Sequence, residues 1–189
     1  MTRWILAIFV LVVSAAPVVG DRNAADRVLR HGDHAEAVRI WTAQATGGDR
    51  EAQHRLAYAL AEGLGTPSDP AAAARWYLAA ARQGHVGAQT AVAEMFHTGT
   101  GIERDPTEAF VWAIAAAVQG SAAAAHLLGR LYLDGEAIAA DPAMAFRWFL
   151  LAERTGHVSA VHDRRRSGRM IPVEARREIR ADVIRQIAY

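Results

Sequence analysis

Histidine has the widest chemical reach here, since the chain has eight and no cysteine. Thiolate catalysis and disulfides are thereby excluded, and cysteine usage says nothing of redox compartment. His54 and His126 hold the same position in a 36-residue pattern, two steps apart. Helices packed about 8–10 Å apart would separate them by roughly 20 Å, whereas the ligands of one zinc lie about 2 Å from it. Helix phasing is read as pairing no histidine with another, or with a glutamate, on one face. His85 and His157 fall in turns. Neither a metal centre nor a cofactor is expected. Gly63-Leu64-Gly65 and Gly99-Thr100-Gly101 lack the lysine and preceding strand of a phosphate-binding loop and read as turns between helices. No Gly-x-Ser-x-Gly occurs, and Ser14, Ser68, Ser121, Ser159 and Ser167 fall in the leader, loops, helix starts or tail. Glu94 and Asp134 could act as a glycosidase pair, but a solvated binding face is the simpler reading. No catalytic residue is assigned. Trp76, Trp112 and Trp148 could stack sugars, but their stripe position points to the core.

These residues are positioned by a repeat. Asp105-Pro106, Ala109, Trp112 and Gly120 recur 36 residues earlier as Asp69-Pro70, Ala73, Trp76 and Gly84. They recur 36 residues later as Asp141-Pro142, Ala145, Trp148 and Gly156. A weaker copy holds Asp33, Ala37 and Gly48, with Ile40 in the Trp position and Trp41 beside it. Fixed self-similarity at about 20–50 residues marks a solenoid or similar array. Each unit predicts two helices. The first carries Ala52, Leu56, Ala57 and Leu60, matched by Ala88, Val92, Ala93 and Phe96, then by Ala124, Leu128, Gly129 and Tyr132. Spacings of 4, 1 and 3 place each set on one helical face. A glycine-bearing loop follows, from which Ala137 departs. Asp-Pro then restarts the chain as N-cap and first helical residue. The second helix presents Ala73, Trp76, Tyr77 and Ala80. Ahead of the full repeats, Arg22 to His31 reads as a short helix, and Asp33 with Glu36 as a capping-box start.

The string Ala-x-x-x-Leu-Ala-x-x-Leu-x-x-Gly-x-Gly at 52–65, then Asp-x-x-x-Ala-x-x-Trp-Tyr-x-x-Ala-Ala-x-x-Gly at 69–84, resembles the Sel1-like repeat family, relatives of the tetratricopeptide repeat. The resemblance spans about residues 33–160. It implies an all-α, right-handed solenoid of helix pairs that binds proteins and has no active site of its own. The cysteine-rich, disulfide-stapled secreted branch of such families is excluded.

The ends differ from the array. Residues 1–20 join Arg3 to an apolar run, Ile5 to Val13, and to Val18-Val19-Gly20, the pattern of a secretory signal peptide cleaved after Gly20. Ile5 to Val19 is shorter than the roughly 20 apolar residues that span a bilayer. The solenoid is expected over 21–160, with a partial repeat at 33–48 and full repeats at 49–84, 85–120 and 121–156. A fourth copy starts at Ala160, but Arg164, Arg165 and Gly168 stand where core residues belong, so the array is expected to stop. Residues 161–189 read as an arginine-rich cap, with Ile179, Val183 and Ile187 on its apolar stripe. Every basic residue apart from histidine is arginine. Residues 21–160 carry 12 Arg against 16 acids, and 161–189 carry 8 against 4. The balance is poor for nucleic-acid binding.

The expected function is that of an exported adaptor, periplasmic or secreted, with a protein or peptide partner. In relatives of this architecture the first helices line the concave side. The positions there not used for packing are His54, Arg55, Tyr58, Glu62, Thr90, Glu94, His97, His126, Arg130 and Asp134. Two alternatives are an envelope-directed hydrolase and a spacer whose arginine-rich tail docks on an anionic surface.

Overall fold

The computed structural model describes residues 24–187; the proposed leader and its cleavage position lie outside them. Ten helices and no strand occur among the described residues. They are α1 (Ala24–Arg30), α2 (His34–Thr46), α3 (Arg50–Glu62), α4 (Pro70–Arg82), α5 (Val86–Thr98), α6 (Pro106–Ala117), α7 (Ala122–Asp134), α8 (Pro142–Arg154), α9 (Ala160–Gly168) and α10 (Val173–Ile187). The described part of the short first helix lies within the expected Arg22 to His31, and Arg22 itself lies outside the described residues.

Local chemistry sets the boundaries. Asp69, Asp105 and Asp141 are N-caps whose carboxylates accept backbone N–H bonds from the first turn, with proline next in each case. Such a cap stabilises a helix by about 1 kcal/mol relative to alanine. Asp33 likewise accepts from the Glu36 N–H at 3.0 Å. Glu36 does not complete the capping box. Its carboxylate turns to Arg39, at 2.6 and 2.7 Å.

Consecutive helices pack in order, α3 on α4, α5 on α6 and α7 on α8, with each pair stacked on the next. On the second helices the buried stripe runs Ala73–Tyr77–Ala80, Ala109–Ala113–Ala116 and Ala145–Phe149–Ala152. Alanine at its ends lets helices approach closely. The tryptophans correct the sequence reading. Trp76, Trp112 and Trp148 are half-buried at cluster edges, and Trp41 is the buried one. Residues 76 and 77 sit about 100° apart on the helix, and position 77 with its counterparts faces the core.

Loop glycines lock successive units. A Cβ on Gly65 would lie 2.4 Å from the His34 carbonyl carbon, and one on Gly101 would lie 2.2 Å from the Pro70 oxygen. Both glycines have φ of +71°. The loop after α7 has Ala137 in the equivalent place, and no residue other than glycine has positive φ among those described. That loop is tied instead by a Glu136–Arg104 ion pair.

Helix packing continues past residue 160. Helix α9 packs on α8 as a fourth first helix. Arg164 seats there because its guanidinium pairs with Glu153 and lies 6.0 Å from the Phe146 ring centre. Gly168 is buried against that ring. Helix α10 packs back on α8, placing Val183 and Ile179 against Phe146 and Leu150.

Candidate functional site

Helices α5 and α7 touch each other directly across a repeat boundary, so the first helices line the side on which repeats crowd together. Positions 36 apart form rows along this side. One row is Tyr58, Glu94, Arg130. Tyr58 is 50% exposed, Arg130 is exposed and Glu94 is half-buried. Glu62 and Asp134, one turn further on, are also exposed.

The remaining expected lining residues are engaged between repeats. His97 is only 9% exposed and its Nε2 accepts from Arg130 Nη2 at 3.0 Å, which makes that pair one polar unit. Arg55 bonds Asp26 of α1 at 2.6 Å and Glu51 at 2.8 Å, tying α1 to α3. Beside Tyr58 lies a hollow of about 240 Å³ lined by Leu29, Trp41, Ala59 and Leu64 among others. The Tyr77 hydroxyl near it is pushed up to about 12, by burial first and then by Glu62 and Tyr58.

His54, Thr90 and His126 form a row that packing consumes, each meeting the residue 31 positions later. The His54 and His85 rings stack at 4.2 Å and 20°, and the His126 and His157 rings lie 4.4 Å apart at 31°. Between these pairs, Thr90 and Ser121 share a hydroxyl bond of 2.9 Å. Each histidine pair has its own carboxylate. His85 Nε2 lies 3.1 Å from Glu51, and His126 Nε2 lies 2.8 Å from Asp163. The third member of each set, His54 or His157, titrates below the ordinary imidazole range. Burial is the main cause in both, followed by the charge of the neighbouring imidazole. A parallel seam is built from amides. Gln89 and Gln53 are buried, donate to carbonyls of the preceding helix, and accept from Gln119 and Gln83.

Glu51 and His54 do share a face of α3, against the sequence reading. Donor atoms of Glu51, His54 and His85 all lie within 4.8 Å of one another, a donor set that zinc accepts. Both His85 nitrogens are already engaged, however. Nδ1 accepts the Ala88 N–H at 3.1 Å as the cap of α5, and Nε2–H donates to Glu51. A metal there would break the cap and take the Glu51 oxygen that now bonds His85. The donor chemistry therefore fits a hydrogen-bonded seam. The signal missed in the sequence is the 31-residue offset between histidines, recurring two units later.

A stack of helix hairpins with a polar first-helix face defines an α-solenoid of the tetratricopeptide-like class. The Sel1 repeat family matches at residues 50–85, 86–121 and 122–157, over half the chain, and the chain belongs to that family. A Sel1 repeat protein from Oxalobacter formigenes superposes with a TM-score of 0.66 at 28% identity, over 74% of this chain and 56% of that one. The protein c5321, a protective antigen present in uropathogenic Escherichia coli strains and displaying an SLR fold, gives 0.69 at 27% identity, over 72% of this chain and 30% of that one. The chain thus spans about half of the first and under a third of the second. No curated protein matches it in sequence. Sel1 repeats generally mediate protein–protein interaction and serve as non-catalytic scaffolds.

Proposed function

We propose that the protein is an exported, non-catalytic adaptor that holds a protein or peptide partner against its first-helix face. One observation carries this reading. Polar and aromatic side chains, exposed at Tyr58 and Arg130 and half-buried at Glu94, recur at one register position on a face not covered by a second helix. Tyrosine and arginine are favoured interface anchors because they join large contact area to polar reach. The hollow beside Tyr58 supplies an apolar socket within this polar row.

The test is capture of the partner from a native envelope extract by wild type, by Tyr58→Ala/Arg130→Ala, and by a variant altered on the opposite face at Arg75 and Val111. The groove variant is expected to lose capture while helical content stays near wild type, and the opposite-face variant to retain it. The reverse pattern overturns the groove assignment. Export is supported by the leader-like residues 1–20 and is read separately. N-terminal sequencing of exported protein is expected to start at Asp21, and a retained Met1 in the cytoplasmic fraction would refute it.

A further inference from the structure

The last two helices carry an exposed surface beyond the residues named for the groove, and its Arg166, 36 positions after Arg130, continues the first-helix row. On α9 the exposed residues His162, Arg165 and Arg166 fall on one stripe that continues to Arg169. On α10 the exposed residues Val173, Arg177, Arg180 and Ile184 form another. Both follow the 3–4 residue spacing of a single helical face. Both helices pack on α8, where Arg164, on the side of α9 away from its stripe, and Arg180, on the α10 stripe, lie 6.0 and 5.9 Å from the Phe146 ring centre.

Charge here is not neutralised internally. Two of the four acids are occupied, Asp163 by His126 and Asp182 by Arg147 with Arg185. Among the described residues Arg165, Arg166, Arg169, Arg177 and Arg180 meet no carboxylate. Glu174 and Glu178 are the only acids of these helices left outside an ion pair. Large apolar side chains flank the arginines. Val158 is 85% exposed, Met170 59%, Val173 45% and Ile184 49%. Along α8, between α9 and α10, runs an open groove of about 410 Å³ lined by Arg154, Arg180, the Arg164–Glu153 ion pair, Leu150 and Ile184. In the preceding first helices the positions equivalent to Arg165 are Ala57, Ala93 and Gly129, all buried under their own second helix. Since α10 covers α8 instead, position 165 opens to solvent and holds a charge.

We infer that this α9–α10 face docks on the surface of an anionic lipid bilayer, with arginines at the headgroups and Val158, Met170, Val173 and Ile184 entering the interface. Unpaired arginines meet the field of anionic headgroups, which attracts basic side chains within about one Debye length. The exposed apolar residues distinguish a bilayer from an acidic protein segment, because they gain nothing from a fully solvated polyanion but are buried at a lipid interface.

The experiment is co-sedimentation of the full chain with vesicles of phosphatidylcholine alone and of phosphatidylcholine with phosphatidylglycerol, at low and high salt. The apolar leader is common to all variants and both vesicle types, so the readout is the difference between vesicle types and between variants. Wild type is expected to bind the anionic vesicles at least about tenfold more tightly than the neutral ones, with the preference lost at high salt. Arg165→Gln/Arg166→Gln/Arg169→Gln/Arg177→Gln should abolish the preference while circular dichroism is unchanged. Val158→Ser/Met170→Ser should weaken anionic-vesicle binding severalfold and leave binding of a poly-glutamate peptide unaltered. Equal binding to both vesicle types, or an unchanged arginine variant, overturns the inference. Arginine-dependent binding of poly-glutamate without vesicle binding overturns it in favour of an acidic protein segment.

Discussion

Replacing Gly101 with alanine tests how one repeat is locked to the next. Two costs follow from the geometry. Gly101 has φ of +71°, where a Cβ meets the following carbonyl at about 1–2 kcal/mol. The added Cβ would also stand 2.2 Å from the Pro70 oxygen and 2.5 Å from its carbonyl carbon. Both are backbone atoms at the start of α4, so relief requires the loop and the helix to separate, and such overpacking costs about 1–3 kcal/mol. Gly84 provides the control. Its φ is +81°, but nothing lies within 4 Å of the position its Cβ would take, so Gly84→Ala carries only the backbone cost. The two variants should differ by about 1–3 kcal/mol, a large share of a typical domain's stability. With urea dependence of about 1–3 kcal/mol per molar, this difference separates the midpoints by roughly 1 M. Because each repeat contacts its neighbours alone, Gly101→Ala should also broaden or split the transition, as the array uncouples near its centre. Equal midpoints for the two variants would refute the claim that close approach of loop to helix start, rather than backbone conformation, is what demands glycine at 101.

Acid should weaken the fold before ordinary carboxylates titrate. His54 and His157 resist protonation in the folded chain, through burial first and then a neighbouring imidazole, so the unfolded chain binds protons more readily. The stability they contribute is complete above the ordinary imidazole value near 6.5 and is lost as pH falls below it. Denaturant midpoints measured between about pH 7 and 5.5 should therefore drop, and His54→Gln/His157→Gln should flatten the slope; an unchanged slope contradicts the histidine seam. Gly129→Ala should destabilise by about 1–3 kcal/mol despite better helix propensity, because its Cβ would lie 2.5 Å from Phe149 Cε1. The same change in a Phe149→Leu background should cost less, and purely additive effects in the double-mutant cycle would refute the contact.

Much of this fold is legible in the sequence because periodicity reports it. The Asp-Pro steps at 69, 105 and 141 mark helix starts through their own chemistry, and the small residues at 57, 93 and 129 mark where a second helix must approach. The tryptophans show the limit of such reading. Positions 76 and 77 are both near the stripe, and only the packed arrangement decides that Tyr77, Ala113 and Phe149 take its centre. Of the candidate site, the exposed row at Tyr58 and Arg130 follows from subtracting the packing stripe. His97 does not, because its burial depends on Arg130 from the next unit, 33 residues on. The histidine pairs are likewise invisible to helix phasing, since their rings meet only after separate repeats dock. Arg164 reads as a residue that cannot be buried until Glu153 and the Phe146 face are seen beside it.

The most direct measurement of the adaptor account is site-specific photocrosslinking in native envelope extract, with a photoreactive residue at Glu94 on the central first helix or at Val111 on the second. The account predicts a partner adduct from position 94, abolished by Tyr58→Ala/Arg130→Ala, and none from position 111. An adduct from position 111 with none from 94 would contradict it.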